Sequence, residues 1–307
     1  MKVKLISTFL LVLGIVLTGL SFFGVNKNNR IYDEILKTCT KVNNAEQVKT
    51  LADGQVVCLQ GPIEVVKPAD DKELGIAAMS SLLEREVRYY QYIVRDANSA
   101  YYDEKWVDIP NTDDKKHGRE NKPLLTLENK TFYSPDARIY GVKLPDGVLS
   151  QLYDRGYLSS VQLDQAGYDR LFKMVQEGYN KQNGSLVDKA AETATDDQSY
   201  TLKMTKRGFR IASNRDYDTS GDVDVSYRVV NPLQTVTVIG RIKGNLLTSL
   251  YLDGAKYYLV KEGAEDMEKM VEEEKDDQAT WRTGLRIFAV LLIVLGALVW
   301  VKFRKKG

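Results

Sequence analysis

The chain opens and closes on apolar runs and is polar in between. Leu5 to Val25 (LISTFLLVLGIVLTGLSFFGV) carries no charge over 21 residues, enough to cross a ~30 Å hydrocarbon core at about 1.5 Å per residue. Lys2 and Lys4 precede it, as in a signal anchor. A cleaved signal peptide has the same basic start, but this run is longer than the usual apolar region of such peptides and no Ala-x-Ala site follows it. Ile287 to Val301 (IFAVLLIVLGALVWV) is the second run. It is short by itself, and Trp281 to Phe303 becomes an adequate span when Arg286 snorkels towards one interface. Trp281 and Trp300 stand where aromatic belts form, and Lys302, Arg304, Lys305 and Lys306 follow at once. The pattern predicts transmembrane helices at 5–25 and 283–303. By the positive-inside rule the tails 1–4 and 304–307 are cytoplasmic, and residues 26–282 lie on the extracytoplasmic or lumenal side.

Between the runs the periodicity alternates between helical and strand-like. Ile31–Thr40 reads as a short helix with Ile31, Ile35 and Leu36 on one face. Gln55–Gln60 (QVVCLQ), bounded by glycines, reads as a buried strand, and the aromatic, β-branched Val87–Arg95 as another, with Tyr101–Ile109 as its hairpin partner. Leu163–Gly178 has helical spacing, with Leu163, Tyr168, Leu171, Phe172 and Val175 near one face. Strands are predicted at Gly221–Val230, Thr235–Lys243 and Leu246–Leu252, with Gly244-Asn245 in a two-residue hairpin position, and a further one at Lys256–Val260. From Glu262 the chain turns acidic and helical, and residues 262–282 are expected to run straight into the second span. The whole predicts an α+β fold: one domain with a mixed or antiparallel sheet, inserted between an N-terminal and a C-terminal transmembrane helix.

Charge sharpens this picture. The 307 residues hold 43 Lys+Arg against 42 Asp+Glu, which excludes a strongly basic nucleic-acid binder and a disordered acidic tail. Seven of the basic residues (Lys2, Lys4, Arg286, Lys302, Arg304, Lys305, Lys306) lie in or beside the spans, and every acidic residue lies within 26–282. The domain therefore carries 36 basic against 42 acidic residues, and near-neutrality is the sum of an acidic domain and two cationic ends.

Candidate chemistry is sparse. The only histidine, His117, sits in a polar stretch, Lys115–Asn121, so a Ser-His-Asp or Cys-His arrangement would have to use an exposed loop. No phosphate-cradling glycine loop, zinc-protease helix or nucleophile elbow occurs. Cys39 and Cys58 would close a loop of about 20 residues if bridged, worth roughly 3 kcal/mol, and two buried free thiols fit the spacing as well. Asp216, Asp218, Ser220 and Asp222, followed by oxygen-poor Tyr227 at the twelfth position, copy half a calcium loop; a polar turn before a strand has the same composition. Asp222 and Asp224 share one strand face, the minimal requirement for a carboxylate pair. No cofactor is expected.

The order of short motifs resembles a known family. It begins with the Gly54–Gly61 strand (GQVVCLQG), Leu83 to Tyr92 with its Tyr-Gln-Tyr, and Lys105-Trp106. It continues with Phe132–Arg138 (FYSPDAR), Gly221–Tyr227 (GDVDVSY), Thr235–Arg241 (TVTVIGR) and Thr280–Arg286 (TWRTGLR). This order, from about residue 8 to 302, is similar to the transmembrane protein 43 (LUMA) family, as a prokaryotic member. The resemblance implies a large non-cytoplasmic domain held between membrane spans. In animal members it implies residence in the endoplasmic reticulum and inner nuclear membrane, self-association, and partnership with membrane and scaffold proteins. It carries over no catalytic residue. Animal members have several C-terminal spans where this chain shows one. The expected function is a non-enzymatic, membrane-anchored scaffold or adaptor that works with the lipid bilayer, other membrane proteins and copies of itself, without nucleic acid. The alternative is a membrane-proximal domain that senses a lipid or small ligand.

Overall fold

The computed structural model describes residues 2–22, 25–94, 102–109, 127–159, 161, 165–183, 200–213, 217–218, 220–231, 234–252 and 255–304. They form an α+β fold in two compact units. The first takes in residues 1–61, 140–145 and 235–307, the second 62–139 and 146–234. The stretch 26–282, read from the sequence as one unit, thus contributes to both.

The first unit is built on a mixed sheet. Thr40–Val42 runs parallel to Val56–Pro62, with Lys41 opposite Cys58. Next to Val56–Pro62 lies Thr235–Lys243, which pairs antiparallel with both Leu246–Thr248 and Leu259–Glu262. The turn into Leu246 uses Gly244 at φ 58, a left-handed conformation cheap only for glycine. The predicted strand Leu246–Leu252 is broken at Ser249, and Leu250–Leu252 turns to pair with Ala255–Tyr257 instead. The core is the apolar face that sequence periodicity anticipates: Tyr32 and Ile35 of the helix Val25–Thr38 pack with Val56, Cys58, Ile239 and Leu259.

One helix, Met267–Arg304, runs unbroken for 38 residues, a rod of about 57 Å. Asp266 caps it, accepting the backbone amides of Glu268 at 2.9 Å and Lys269 at 3.3 Å. Its first turns are seated on the sheet by Met267, Met270 and Val271 and tied to Val25–Thr38 by Lys275–Asp33 at 2.7 Å and Gln278 to the Tyr32 hydroxyl at 2.6 Å. Among the described residues it is the one helix long and apolar enough to cross a membrane, over Met267–Lys302. The N-terminal helix Lys2–Phe22 contains a shorter apolar stretch, Ile6–Ser21.

The two apolar helices pack antiparallel. Leu11 meets Gly296, Gly14 meets Ala289 and Ile293, and Arg286 donates to the Ser21 carbonyl at 3.4 Å. A Cβ on Gly14 would stand 2.6 Å from Ile293 Cγ1 and 2.9 Å from the Ala289 carbonyl oxygen, so the close approach requires glycine there. Their other faces, with Phe9, Ile15, Phe288 and Leu298 among the exposed residues, are apolar and unpartnered.

The second unit is an antiparallel sheet in the order Tyr200–Met204, Gly208–Ser213, Val223–Val230, Leu82–Val94, Tyr102–Val107. Leu82–Val94 is longer than its sequence signal, because its first half is polar on the outer face. Tyr102–Val107 pairs with it as the predicted hairpin partner, Tyr89 opposite Val107. Leu83, Val87 and Tyr89 point to one side with Phe209, Ile211, Val223, Val225 and Tyr227, and form the core. The helix Gln165–Asn183 covers this core with Leu171, Met174 and Val175. The sequence reading placed Tyr168 and Phe172 on that same face; Phe172 is 69% exposed, because the covering face is set by Leu171 and its neighbours one turn on. Leu163 lies outside the described residues.

Candidate functional site

Inside the second unit the alternation on Leu82–Val94 puts a charge where the core should be. Arg85 shares a face with Leu83, Val87 and Tyr89, lies opposite Tyr227, and is 1% exposed. Its guanidinium is satisfied on every side. Nη1 reaches Asp71 Oδ2 at 2.8 Å, Nη2 reaches Glu73 Oε2 at 2.8 Å, and Nε donates to the Glu128 carbonyl at 3.1 Å. The Tyr227 hydroxyl donates to the same Asp71 oxygen at 2.8 Å. Burial, and then the Asp71 carboxylate, push the Tyr227 phenol far above its usual range. Arg85, Asp71 and Tyr227 are buried while Glu73 reaches the surface, and the network acts as a polar pin in the core. Sequence reading missed it, and the signal was parity: Arg85 sits in step with the apolar positions of its strand.

The outer face of the same sheet carries a ladder of ion pairs. Glu84 pairs with Arg155 at 2.8 Å, Glu86 with Arg228 at 3.1 Å and Arg88 with Asp224 at 2.8 Å. Arg210 pairs with Asp218 and stands 3.5 Å from Asp222. Trp106 anchors one end, donating its Nε1–H to Asp218 at 2.9 Å under the guanidinium of Arg210, 4.8 Å from the ring centre. Burial opposes ionisation of Asp218, yet the Arg210 and Trp106 hydrogen bonds hold its pKa below the usual carboxylate range.

Half-way along this face lies an open groove of about 640 Å³. Among the described residues Leu82–Val94 has no paired neighbour there on one of its two sides. Lys130–Tyr133 pairs only as far as Arg85, and Tyr102–Val107 begins only at Tyr89. Across the gap the Val87 amide donates to the Asn129 side chain at 2.7 Å. Glu86, Arg88, Asp224 and Ser226 floor the groove, and Tyr157 and the turn Thr205-Lys206-Arg207 stand beside it. Arg207 lies over the Tyr157 ring at 4.1 Å.

The residues singled out in the sequence fall as follows. Asp218 and Asp222 are committed to Arg210, Ser220 is half-buried nearby, and Asp216 lies outside the described residues, as does His117. Among the described residues no group of three or more His, Cys, Asp or Glu is arranged to hold a metal ion. Asp222 and Asp224 share a face, but each is neutralised by a different arginine. Cys39 and Cys58 are free thiols in one apolar cluster. Trp281 is 72% exposed and Trp300 45% exposed on the long helix. Arg286 reaches the C-terminal turn of the N-terminal helix, Lys302 is exposed, and Arg304 ends the helix.

The two thiols give a pH prediction. Burial pushes both up to about 12 from 9.0, and for Cys39 the neighbouring Cys58 adds to it. The raised folded-state pKa means that the neutral thiols favour folding; this contribution is complete below about pH 9 and lost as pH rises towards 12. Alkylation of the folded protein at about pH 8 should therefore lag far behind that of the denatured chain. Equal rates in a stopped alkylation assay would contradict it.

Together these features define a membrane-associated α+β protein with a polar outer sheet face and one long apolar helix. The sequence profile of transmembrane protein 43 matches residues 84–305, a stretch that runs from the central strand of the second unit to the end of the long helix. The chain belongs to the transmembrane protein 43 family. No curated protein and no solved structure matches it.

Proposed function

We propose that the protein is a membrane-anchored scaffold or adaptor, spanning the bilayer twice with both termini cytoplasmic, whose folded part organises membrane partners or copies of itself. The observation that carries this reading is the continuity of Met267–Arg304. Its acidic first turns are locked to the sheet and to Val25–Thr38, and its apolar remainder packs on Lys2–Phe22. Anchor and folded unit are then one rigid piece, so that what binds the fold is held at a set height above the bilayer. The antiparallel helix pair supports the topology, since it brings the Lys2/Lys4 end beside Lys302 and Arg304, and cationic ends stay cytoplasmic. The ion pairing of the outer-face carboxylates speaks for a non-enzymatic role. Crosslinking in native membranes should recover the protein with a partner or with itself. Recovery of monomer alone would overturn the reading.

A second reading, that the fold also senses a small ligand, is favoured by the groove on the outer face of the second unit.

A further inference from the structure

Among the described residues the groove keeps two cations that no ion pair neutralises. Glu86 is spent on Arg228 and Arg88 on Asp224, so these four lining or flanking charges cancel. Lys206 and Arg207 remain, both lining the groove from one exposed turn, with no ion pair among the described residues. Among the described lining residues Asp108 is the one carboxylate left to oppose them. Arg207 is also held in place. Its guanidinium lies 4.1 Å from the centre of the Tyr157 ring, and stacking of this kind occupies the flat face of the guanidinium while leaving its in-plane N–H donors free. The turn itself is fixed by Thr205, whose Oγ1 accepts the amides of Arg207 at 3.3 Å and Gly208 at 3.0 Å. Ser226 adds a hydroxyl on the floor. A preset arginine, an adjacent lysine and hydroxyls form a donor set for an oxyanion, and it outnumbers what a two-oxygen carboxylate would use. A cation would find the groove's carboxylates, Asp108 apart, already taken.

We propose that this groove binds a phosphate group, carried either by a small soluble phosphate ester or by a phospholipid headgroup. The inference rests on the ligand-sensing reading above. It is tested on the full chain in non-ionic detergent at fixed chloride ionic strength, titrated separately with glycerol 3-phosphate and with a short-chain phosphatidylglycerol. Saturable binding of either probe is expected, and the first to bind identifies a soluble or a lipid source. The K206E/R207E variant should lose about tenfold or more in affinity with its melting temperature unchanged, and K206A, which leaves Arg207 on Tyr157, about threefold. Undiminished binding by K206E/R207E overturns the site. If neither phosphate probe binds but glucose binds the native protein and not the double variant, the phosphate class falls and the ligand-sensing reading stands. If no probe binds, both fall.

Discussion

Replacing Arg85 by alanine should lower the stability of the protein by about 3–5 kcal/mol, more than any other single truncation in the second unit. Asp71 is fully buried and would lose its guanidinium partner. The Tyr227 hydroxyl at 2.8 Å and the Glu73 amide at 3.2 Å would be left to it, neither of them charged. The cost is that of an orphaned buried carboxylate, and the cavity left by the largest fully buried side chain adds to it. Two comparisons separate these terms. Tyr227→Phe removes one hydrogen bond and leaves the ion pair intact, so it should cost about 1 kcal/mol. The double variant Arg85→Met with Asp71→Asn removes both charges at nearly unchanged volume and keeps an acceptor for Tyr227, and should recover most of the loss. Thermal unfolding of the detergent-solubilised chain reads all three. An Arg85→Ala midpoint within about 2 °C of the native one would show that the network does not pin the core.

Gly208→Ala should cost about 3 kcal/mol or more, at the upper end of over-packing effects. Gly208 lies opposite Ser226 in the pairing of Gly208–Ser213 with Val223–Val230. A Cβ there would stand 1.8 Å from the Val225 carbonyl oxygen and 2.8 Å from its carbon. Both belong to the backbone of the neighbouring strand, which cannot rotate aside as a flexible side chain could. The strands must part, and with them the turn in which the Thr205 amide donates to the Gly208 carbonyl at 2.9 Å and the Tyr227 amide to Arg207 at 2.9 Å. Gly156→Ala is the matched control. It lies on the other short strand along Val223–Val230, and no atom stands within 4 Å of its added Cβ. Equal melting temperatures for the two variants would refute the steric argument.

Much of the fold was legible in the sequence where one residue's neighbours decide its place. Thr235–Lys243 and its Gly244 turn, the Val56–Pro62 strand and the long helix from the acidic segment into the apolar run all follow from local pattern. The short strands Glu64–Lys67, Lys130–Tyr133, Asp136–Ile139 and Arg155–Tyr157 did not. They are three or four residues long and mix polar with apolar positions, so that only pairing in the folded chain makes them strands. Tyr168 and Phe172 look like core residues on a helical wheel, yet which face of an amphipathic helix is covered depends on where the sheet lies.

The sequence alone pointed to a membrane, because a long apolar run followed at once by a cluster of cations fits a span better than a buried core helix. It also determined the family, because the order of short motifs survives when each motif alone is uninformative. Only the tertiary structure decided which charges are spent and which remain. Arg85, Asp71 and Tyr227 come from three separate segments, and nothing in any one of them says that it is buried with the others. The groove likewise lies where no described strand pairs on one side of Glu86–Arg88, and the surplus of Lys206 and Arg207 follows from the commitment of Glu86 to Arg228 and of Asp224 to Arg88. Charge composition is additive along the chain, whereas neutralisation is a matter of distance in space.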